Sequence, residues 1–166
     1  MIKRTVTFNR SPRVRSAANK HLGMLLNGEL LVVPILAVQE IVSLQDITRV
    51  PRMPDYIRGV INLRGRVLAV VDLRIRLGVP SAPDTKRTCI VVSQVAGADG
   101  PVSMGLLVDQ VTEVLDIPKD AIDPAPDLGG TIDSSHLAGV ARIGTKAALV
   151  LDLPRLLGPP PAVMVS

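Results

Sequence analysis

The sequence predicts an all-β protein built from two similar units. Apolar residues make up 47% of the 166 residues, and the chain is interrupted by 14 prolines and 13 glycines. Abundant valine and isoleucine between frequent turn residues favour many short strands over long helices. A segment that recurs in the second half of the chain indicates the duplication. Because aromatic residues account for only 1% of the chain, the core must be aliphatic.

The N-terminal residues 1–22 form a basic arm. The first acidic residue is Glu29, and the basic residues that precede it are Lys3, Arg4, Arg10, Arg13, Arg15 and Lys20. Their polar, aperiodic setting predicts a solvated, disordered segment, although a basic arm can also touch nucleic acid or acidic lipid. We expect the proline-rich tail, residues 159–166, to be disordered as well. The folded domain should therefore span residues 23–158.

Turn signals place the first strands. Asn27 and Gly28 lie between two leucine pairs, and a tight primed hairpin turn needs residues that accept a positive φ at both central positions. Residues 96–101 are expected to join two later strands as a looser hairpin. Near-continuous apolar runs predict strands at residues 67–73, 88–95, 102–108 and 147–153.

An internal repeat indicates how these strands are grouped. Residues 57–78 align without a gap with residues 137–158, and residues 38–42 align with 111–115 at a slightly smaller offset. Matched glycines and aspartates make chance similarity a poor explanation, because backbone requirements place those residues. The difference in offset implies a loop insertion at residues 127–135. We expect two β modules packed together, made mainly from residues 25–85 and 88–158.

Asp72 and Asp152 are equivalent in the repeat. Each follows an apolar run and precedes a leucine-rich segment that ends at a glycine, Gly78 or Gly158. This pattern predicts a short helical turn with aspartate as the N-cap and glycine at the C-terminal end. We prefer this structural role for both aspartates to general acid or base catalysis.

No catalytic site, metal centre or cofactor site is expected. Cys89 is the single cysteine and lies in an apolar run, so a buried, inert thiol is predicted. The two histidines, His21 and His136, lie far apart and beside no nucleophile motif. They also offer no zinc-like ligand spacing. We therefore expect a protein that is not an enzyme.

The sequence predicts an intracellular protein that does not insert into a membrane. The N-terminus lacks the apolar central stretch of a secretory signal, and a single cysteine fits a reducing compartment. The longest apolar run, residues 30–38, contains Pro34 and has about half the length that a spanning helix needs.

One block of the sequence is specific enough to indicate a family. It begins with Arg49-Val50-Pro51 and continues from residue 57 through the Asn-Leu-Arg-Gly motif at 62–65 to residue 74, with accompanying motifs at 105–111 and 137–140. Together these motifs resemble the CheW family of chemotaxis coupling proteins. The resemblance extends over residues 25–158.

The resemblance implies two pseudo-symmetric, five-stranded SH3-like barrels with short helical turns and an apolar groove between them. It also implies a cytoplasmic scaffold without catalytic activity, recruited to membrane-associated receptor arrays. Its partners would be chemoreceptor cytoplasmic hairpin tips and the regulatory domain of a histidine kinase. By position, the residues of the receptor groove would be Val38, Val108 and Val111. Those involved in coupling and partner binding would be Gly59, Asn62, Arg64 and Gly65. Glu40 borders the apolar residues Val38 and Ile41, so it is either a partner-binding charge at the rim of an apolar patch or a solvated edge residue.

A nucleic-acid-binding small β-barrel is the alternative, because the sequence pI is near 9.7. Proteins that bind single strands stack the bases on aromatic side chains. Phe8 and Tyr56 are the only aromatic residues of this chain. The coupling interpretation is therefore preferred, and no nucleic-acid partner is expected.

Overall fold

The structure is a computed structural model, and it describes residues 5–7, 18–97, 100–124, 132 and 134–158. The predicted tail at residues 159–166, most of the predicted N-terminal arm and most of the predicted loop insertion lie outside the described residues. The strands are β1 (Thr5–Thr7), β2 (Lys20–Leu26), β3 (Glu29–Pro34), β4 (Val38–Ser43), β5 (Ile57–Leu63), β6 (Arg66–Asp72), β7 (Cys89–Gly97), β8 (Gly100–Val108), β9 (Gln110–Asp116), β10 (Ile122–Asp123), β11 (Leu137–Ile143) and β12 (Lys146–Leu151). Two short helices, α1 (Leu73–Leu77) and α2 (Leu153–Leu157), follow β6 and β12.

The strands form two six-stranded sheets. The first has the order β1-β4-β7-β8-β6-β5, and the second has the order β10-β11-β12-β3-β2-β9. Each sheet consists of five longer strands and one short strand, β1 with three residues or β10 with two. We refer to these sheets as the first barrel and the second barrel. The all-β prediction with two units is confirmed.

The two barrels repeat one topology. Read from β9, the second sheet has the order β9-β2-β3-β12-β11, which matches β4-β7-β8-β6-β5 strand for strand. The one parallel pair of strands in each sheet is also equivalent, β6 with β8 in the first barrel and β12 with β3 in the second. The equivalent aspartates make equivalent bonds, because the Asp72 N–H donates to the Tyr56 carbonyl at 2.7 Å and the Asp152 N–H to the His136 carbonyl at 2.9 Å.

The predicted boundary between the two modules is wrong. Strands β2 and β3 were assigned to the first module, residues 25–85, but they lie in the second barrel. Strands β7 and β8 were assigned to the second module, residues 88–158, but they complete the first barrel. Apart from β1, the first barrel is continuous from β4 to β8, whereas the second barrel combines the N-terminal β2-β3 hairpin with β9 to β12. The repeat alignment included neither the β2-β3 hairpin nor the β7-β8 hairpin, so it gave no signal for this placement.

The prediction that residues 1–22 are wholly disordered is also wrong. Thr5–Thr7 form β1, which pairs antiparallel with β4, and β2 begins at Lys20. Two physical reasons favour β1: all three of its residues are β-branched, which favours strand structure, and the edge of β4 offers unpaired backbone groups.

The largest apolar cluster lies between the barrels rather than within either one. The first barrel has its own smaller core around Val42, Ile61 and Ile90, and the second around Val32 and Ala141. The shared cluster draws on both barrels and on both helices, and its buried members include Leu22, Met24, Leu31, Val38, Val71, Leu73, Val91, Met104, Val108, Leu151 and Leu156. Burial of this much aliphatic surface holds the two barrels together as one body.

The turn predicted at Asn27 and Gly28 is confirmed, whereas the looser hairpin predicted at residues 96–101 is wrong, because β7 extends to Gly97 and β8 begins at Gly100. Asn27 and Gly28 have φ values of 53° and 79°, and they join β2 to β3 with Leu26 opposite Glu29. The positive φ at both positions is the geometry of a primed hairpin turn.

Candidate functional site

The Asn-Leu-Arg-Gly motif forms the turn between β5 and β6. Arg64 and Gly65 occupy its two central positions with φ values of 52° and 82°, which is unusual for an arginine. The side-chain oxygen of Asn62 accepts a hydrogen bond from the Gly65 N–H at 2.9 Å. This bond closes the turn, and Asn62, Arg64 and Gly65 are all exposed. The motif therefore presents a fixed polar corner at one end of the first barrel.

Glu40 and Arg64 were predicted as separate partner-binding residues, and the structure brings them together. The Arg64 Nη2 donates to the Glu40 Oε2. The carboxylate side chain is only 6% exposed, while the arginine side chain is 62% exposed. The other carboxylate oxygen, Oε1, is buried and has no hydrogen-bond partner among the described residues. Arg64 is therefore the compensating charge for a buried carboxylate, which is costly without one.

The equivalent positions in the second barrel lack this ion pair. Glu113 is equivalent to Glu40 but is exposed, and Gly144 stands at the position of Arg64. The end of the second barrel instead holds an open pocket of 660 Å³ lined by Leu25, Gly28, Glu29, Leu30, Thr112, Glu113, Leu115, Ile143, Lys146 and Ala147. The two barrels share a topology but present ends of different chemistry.

Charge also differs between the barrels. Residues 38–108 contain nine lysines and arginines against six aspartates and glutamates. Residues 18–34 together with 109–158 contain five against nine. The first barrel is thus net basic and the second net acidic, which favours different partner surfaces.

The three valines predicted for the receptor groove are buried to different degrees. Val38 and Val108 are 0% and 1% exposed and belong to the shared core. These two side chains are therefore not exposed in a groove. Strands β4 and β8 turn them towards the other barrel, into the shared core. Val111 is only partly buried and packs against that core. Of the three, Val111 alone offers surface at the junction of the barrels.

Cys89 lies beside this junction. It pairs with Val108 across β7 and β8. Burial raises the pKa of its thiol to about 11, and a hydrogen bond with the Val111 backbone offsets only part of that shift. The thiol is therefore protonated at neutral pH and is a poor nucleophile.

Gly59 has a packing role. A Cβ atom at this position would lie 2.3 Å from the carbonyl oxygen of Thr48, which pairs with the neighbouring Val60. Gly139, its equivalent in the repeat, is crowded in the same way by the Asp123 carbonyl at 2.5 Å. Both glycines allow a crossing segment to approach the strand closely.

Asp72 and Asp152 cap the two short helices. The Asp72 carboxylate accepts the Arg74 N–H at 3.0 Å, and the Asp152 carboxylate accepts the Arg155 N–H at 3.1 Å. Gly78 ends α1 in the left-handed conformation with φ 74°. The two aspartates thus lie in equivalent structural positions.

Two polar links between the barrels were not identified from the sequence. Asp109 lies between β8 and β9, where its carboxylate accepts from Arg74 Nε at 2.9 Å and from the Asn27 N–H at 2.9 Å. Asp109 therefore ties α1 of the first barrel to the hairpin of the second. The only available signal was its position directly after an apolar strand.

Arg76 forms the second link. Its Nε donates to the Leu156 carbonyl of α2 at 2.7 Å, and its guanidinium lies 4.4 Å from the centre of the Tyr56 ring. Arg76 thus satisfies a helix C-terminal carbonyl of the second barrel from α1 of the first. Because the Tyr56 ring is covered by this cation, it is not a free platform for base stacking.

Within the described part of the chain, no three histidine, cysteine, aspartate or glutamate side chains are grouped to hold a metal ion. None of the helices in that same part is long and apolar enough to cross a membrane.

Comparison with known proteins identifies relatives over most of the chain. A family model described as the CheW-like domain matches residues 20–159. The chain is 33% identical over 145 residues to the chemotaxis protein CheW of Rhizobium meliloti, covering 87% of this chain and 91% of that protein. It is 32% identical over 132 residues to CheW of Klebsiella aerogenes, covering 80% and 77%.

A solved structure shares the fold. The crystal structure of the scaffolding protein TtCheW from Thermoanaerobacter tengcongensis matches with a TM-score of 0.76 and 32% identity, covering 85% of this chain and 93% of that one. Protein FrzA of Myxococcus xanthus is 36% identical over 129 residues, covering 76% of this chain and 78% of that protein.

Proposed function

The chain belongs to the CheW-like domain family, and from that premise we propose that it couples chemoreceptor cytoplasmic hairpin tips to the regulatory domain of a histidine kinase. It does so as a scaffold without chemistry of its own, in the cytoplasm at membrane-associated receptor arrays. The observation that carries the proposal is the chemical difference between two surfaces, the exposed polar corner at Arg64 and the partly apolar junction of the barrels at Val111. A scaffold that holds two kinds of partner needs two unlike surfaces in a fixed relation.

The fixed relation comes from the core between the barrels. Residues from both sheets and both helices are buried in one shared cluster, and the Asp109 and Arg76 links add polar contacts across the same junction. Partners that bind at the Arg64 corner and at the junction of the barrels are therefore held at a set distance and angle. This geometry supports a role in which binding energy, not catalysis, transmits the signal.

The turn at Asn62, Arg64 and Gly65 is proposed as the kinase-facing corner. It is exposed and held by the Asn62 hydrogen bond, so little conformational entropy is lost when a partner binds it. Arg64 has three-fifths of its side chain in solvent and retains donors that the Glu40 pair does not use. A partner carboxylate at this corner is the fitting counterpart.

The receptor tip is proposed to dock at the junction of the barrels, on Val111. Val38 and Val108 lie beneath that surface as part of the shared core, so they shape the site without touching the partner. A helical hairpin with an apolar stripe fits such a junction, because apolar contact supplies most of the affinity at the centre of an interface.

The kinase corner can be tested with two variants, Glu40→Leu and the double variant Glu40→Leu with Arg64→Ala. Neither leaves a buried carboxylate, so they differ only in the exposed arginine. Each variant is mixed with receptor and kinase, and kinase activity is measured. The single variant should still activate the kinase, whereas the double variant should show a clear loss of activation. Equal activation by both variants would show that Arg64 only compensates the charge of Glu40 and does not contact the kinase. The coupling proposal itself would be wrong if the unaltered chain failed to bind a receptor tip or the kinase domain.

A further inference from the structure

The two barrels differ at one sheet edge. In the first barrel β4 is flanked on both sides, by β7 and by β1. Its equivalent in the second barrel, β9, pairs only with β2 among the described residues and ends the sheet. Val114 in the middle of β9 is 45% exposed. An edge of this kind offers unpaired backbone donors and acceptors to another strand.

The first barrel shows which sequence can add to such an edge. Thr5, Val6 and Thr7 of β1 lie opposite Val42, Ile41 and Glu40 of β4. The repeat aligns Glu40-Ile41-Val42 with Glu113-Val114-Leu115 of β9. The uncovered edge of β9 therefore has nearly the same order of residue types as the edge of β4 that β1 covers.

Charge favours pairing of the N-terminal segment with the uncovered edge of β9 over its pairing with β4. In the sequence, Lys3 and Arg4 directly precede β1, and β9 contains no lysine or arginine. In the repeat alignment, Ser43 on β4 is equivalent to Asp116 on β9, which is exposed. A donor strand that pairs with β9 in the register of β1 would therefore bring its residue 4 opposite a carboxylate rather than a serine. Opposite charges on facing strands stabilise their pairing.

We propose that β9 is an acceptor edge for the N-terminal strand of a second copy of this chain. The donor strand pairs antiparallel with β9, so that Val6 faces Val114 and Arg4 faces Asp116. This association goes beyond coupling of receptor and kinase. Because donor and acceptor lie on different barrels, the contact is heterologous and joins copies head to tail. The association is weak and depends on concentration, because the donor strand gives up its pairing with β4 when it pairs with β9. It also depends on salt, because the contact between Arg4 and Asp116 is screened.

The test uses the full chain labelled with ¹⁵N and a peptide with the sequence of residues 1–10. The peptide should shift the backbone amide signals of residues 110–116 in a saturable way, and a scrambled peptide should not. Shifts confined to residues 38–43 would show that the peptide merely replaces β1 on β4. That result, or no shift at millimolar peptide, overturns the proposal.

A charge exchange tests the register. An Arg4→Glu peptide should bind the unaltered chain about three- to tenfold more weakly, and an Asp116→Lys chain should restore its binding. Loss of the surface contact between Lys20 and Asp116, 3.6 Å apart, is of small energetic effect. In sedimentation experiments, self-association of the full chain should fall with Asp116→Lys and return when Arg4→Glu is added. Absence of rescue in both experiments contradicts the assignment.

Discussion

Removal of Arg64 should destabilise the protein far more than removal of Glu40, although the two form one ion pair. Arg64→Ala leaves a carboxylate that is 6% exposed without its compensating charge. Breaking a buried pair in this way costs about 3–5 kcal/mol, and the solvent around Arg64 reduces the expected loss to about 2–3 kcal/mol. For a chain of this size, that corresponds to a fall in Tm of about 5–10 °C.

Glu40→Leu should behave differently, because it leaves the charge in water. The Arg64 side chain is 62% exposed, so it remains hydrated when its partner is removed, and an apolar side chain fills the buried site. The free energy of unfolding should stay within about 1 kcal/mol of the unaltered protein. The double variant should show the same small effect.

Urea unfolding of the three variants at pH 7, followed by circular dichroism, measures this asymmetry. The reasoning would be refuted if Glu40→Leu lowered the free energy of unfolding as much as Arg64→Ala does. That result would mean that Glu40 itself stabilises the fold, rather than being a buried charge that only needs compensation. A double variant as unstable as Arg64→Ala would also refute it.

Three further predictions concern the junction of the barrels. Arg76→Ala should lower the free energy of unfolding by about 1–2 kcal/mol, because the Leu156 carbonyl loses its donor; urea unfolding measures this, and Arg76→Lys should recover part of it. Val111→Thr keeps the shape of the side chain but adds a hydroxyl, so receptor-tip affinity measured by calorimetry should fall severalfold, with only a small fall in Tm because Val111 is partly buried; unchanged affinity would exclude Val111 from the site. The raised pKa of Cys89, about 11 in the folded state against 9.0 for the free group, favours the folded state below pH 9, and this contribution is lost as the pH rises towards 11. Stability measured across that range should therefore fall less steeply in Cys89→Ala, and identical slopes would contradict the burial argument.

Features that depend on neighbouring residues could be predicted from the sequence. The hairpin at Asn27 and Gly28 follows from the φ values that a two-residue turn requires. The caps at Asp72 and Asp152 follow from a carboxylate placed before a short apolar helix. The repeat indicated two equivalent units because glycine and aspartate recur where the backbone needs them. The Asn-Leu-Arg-Gly motif was specific enough to indicate the family, which the comparisons then confirmed.

Features that depend on distant pairing were decided only by the tertiary structure. An apolar strand pattern indicates that a strand has a buried face, but not which sheet it joins, so the placement of the N-terminal β2-β3 hairpin in the second barrel, and of β7-β8 in the first, was not visible. The burial of Val38 and Glu40 depends on what packs over β4. The physical reason is that the sequence encodes local backbone preference residue by residue, whereas burial and charge pairing arise when segments far apart in the chain meet.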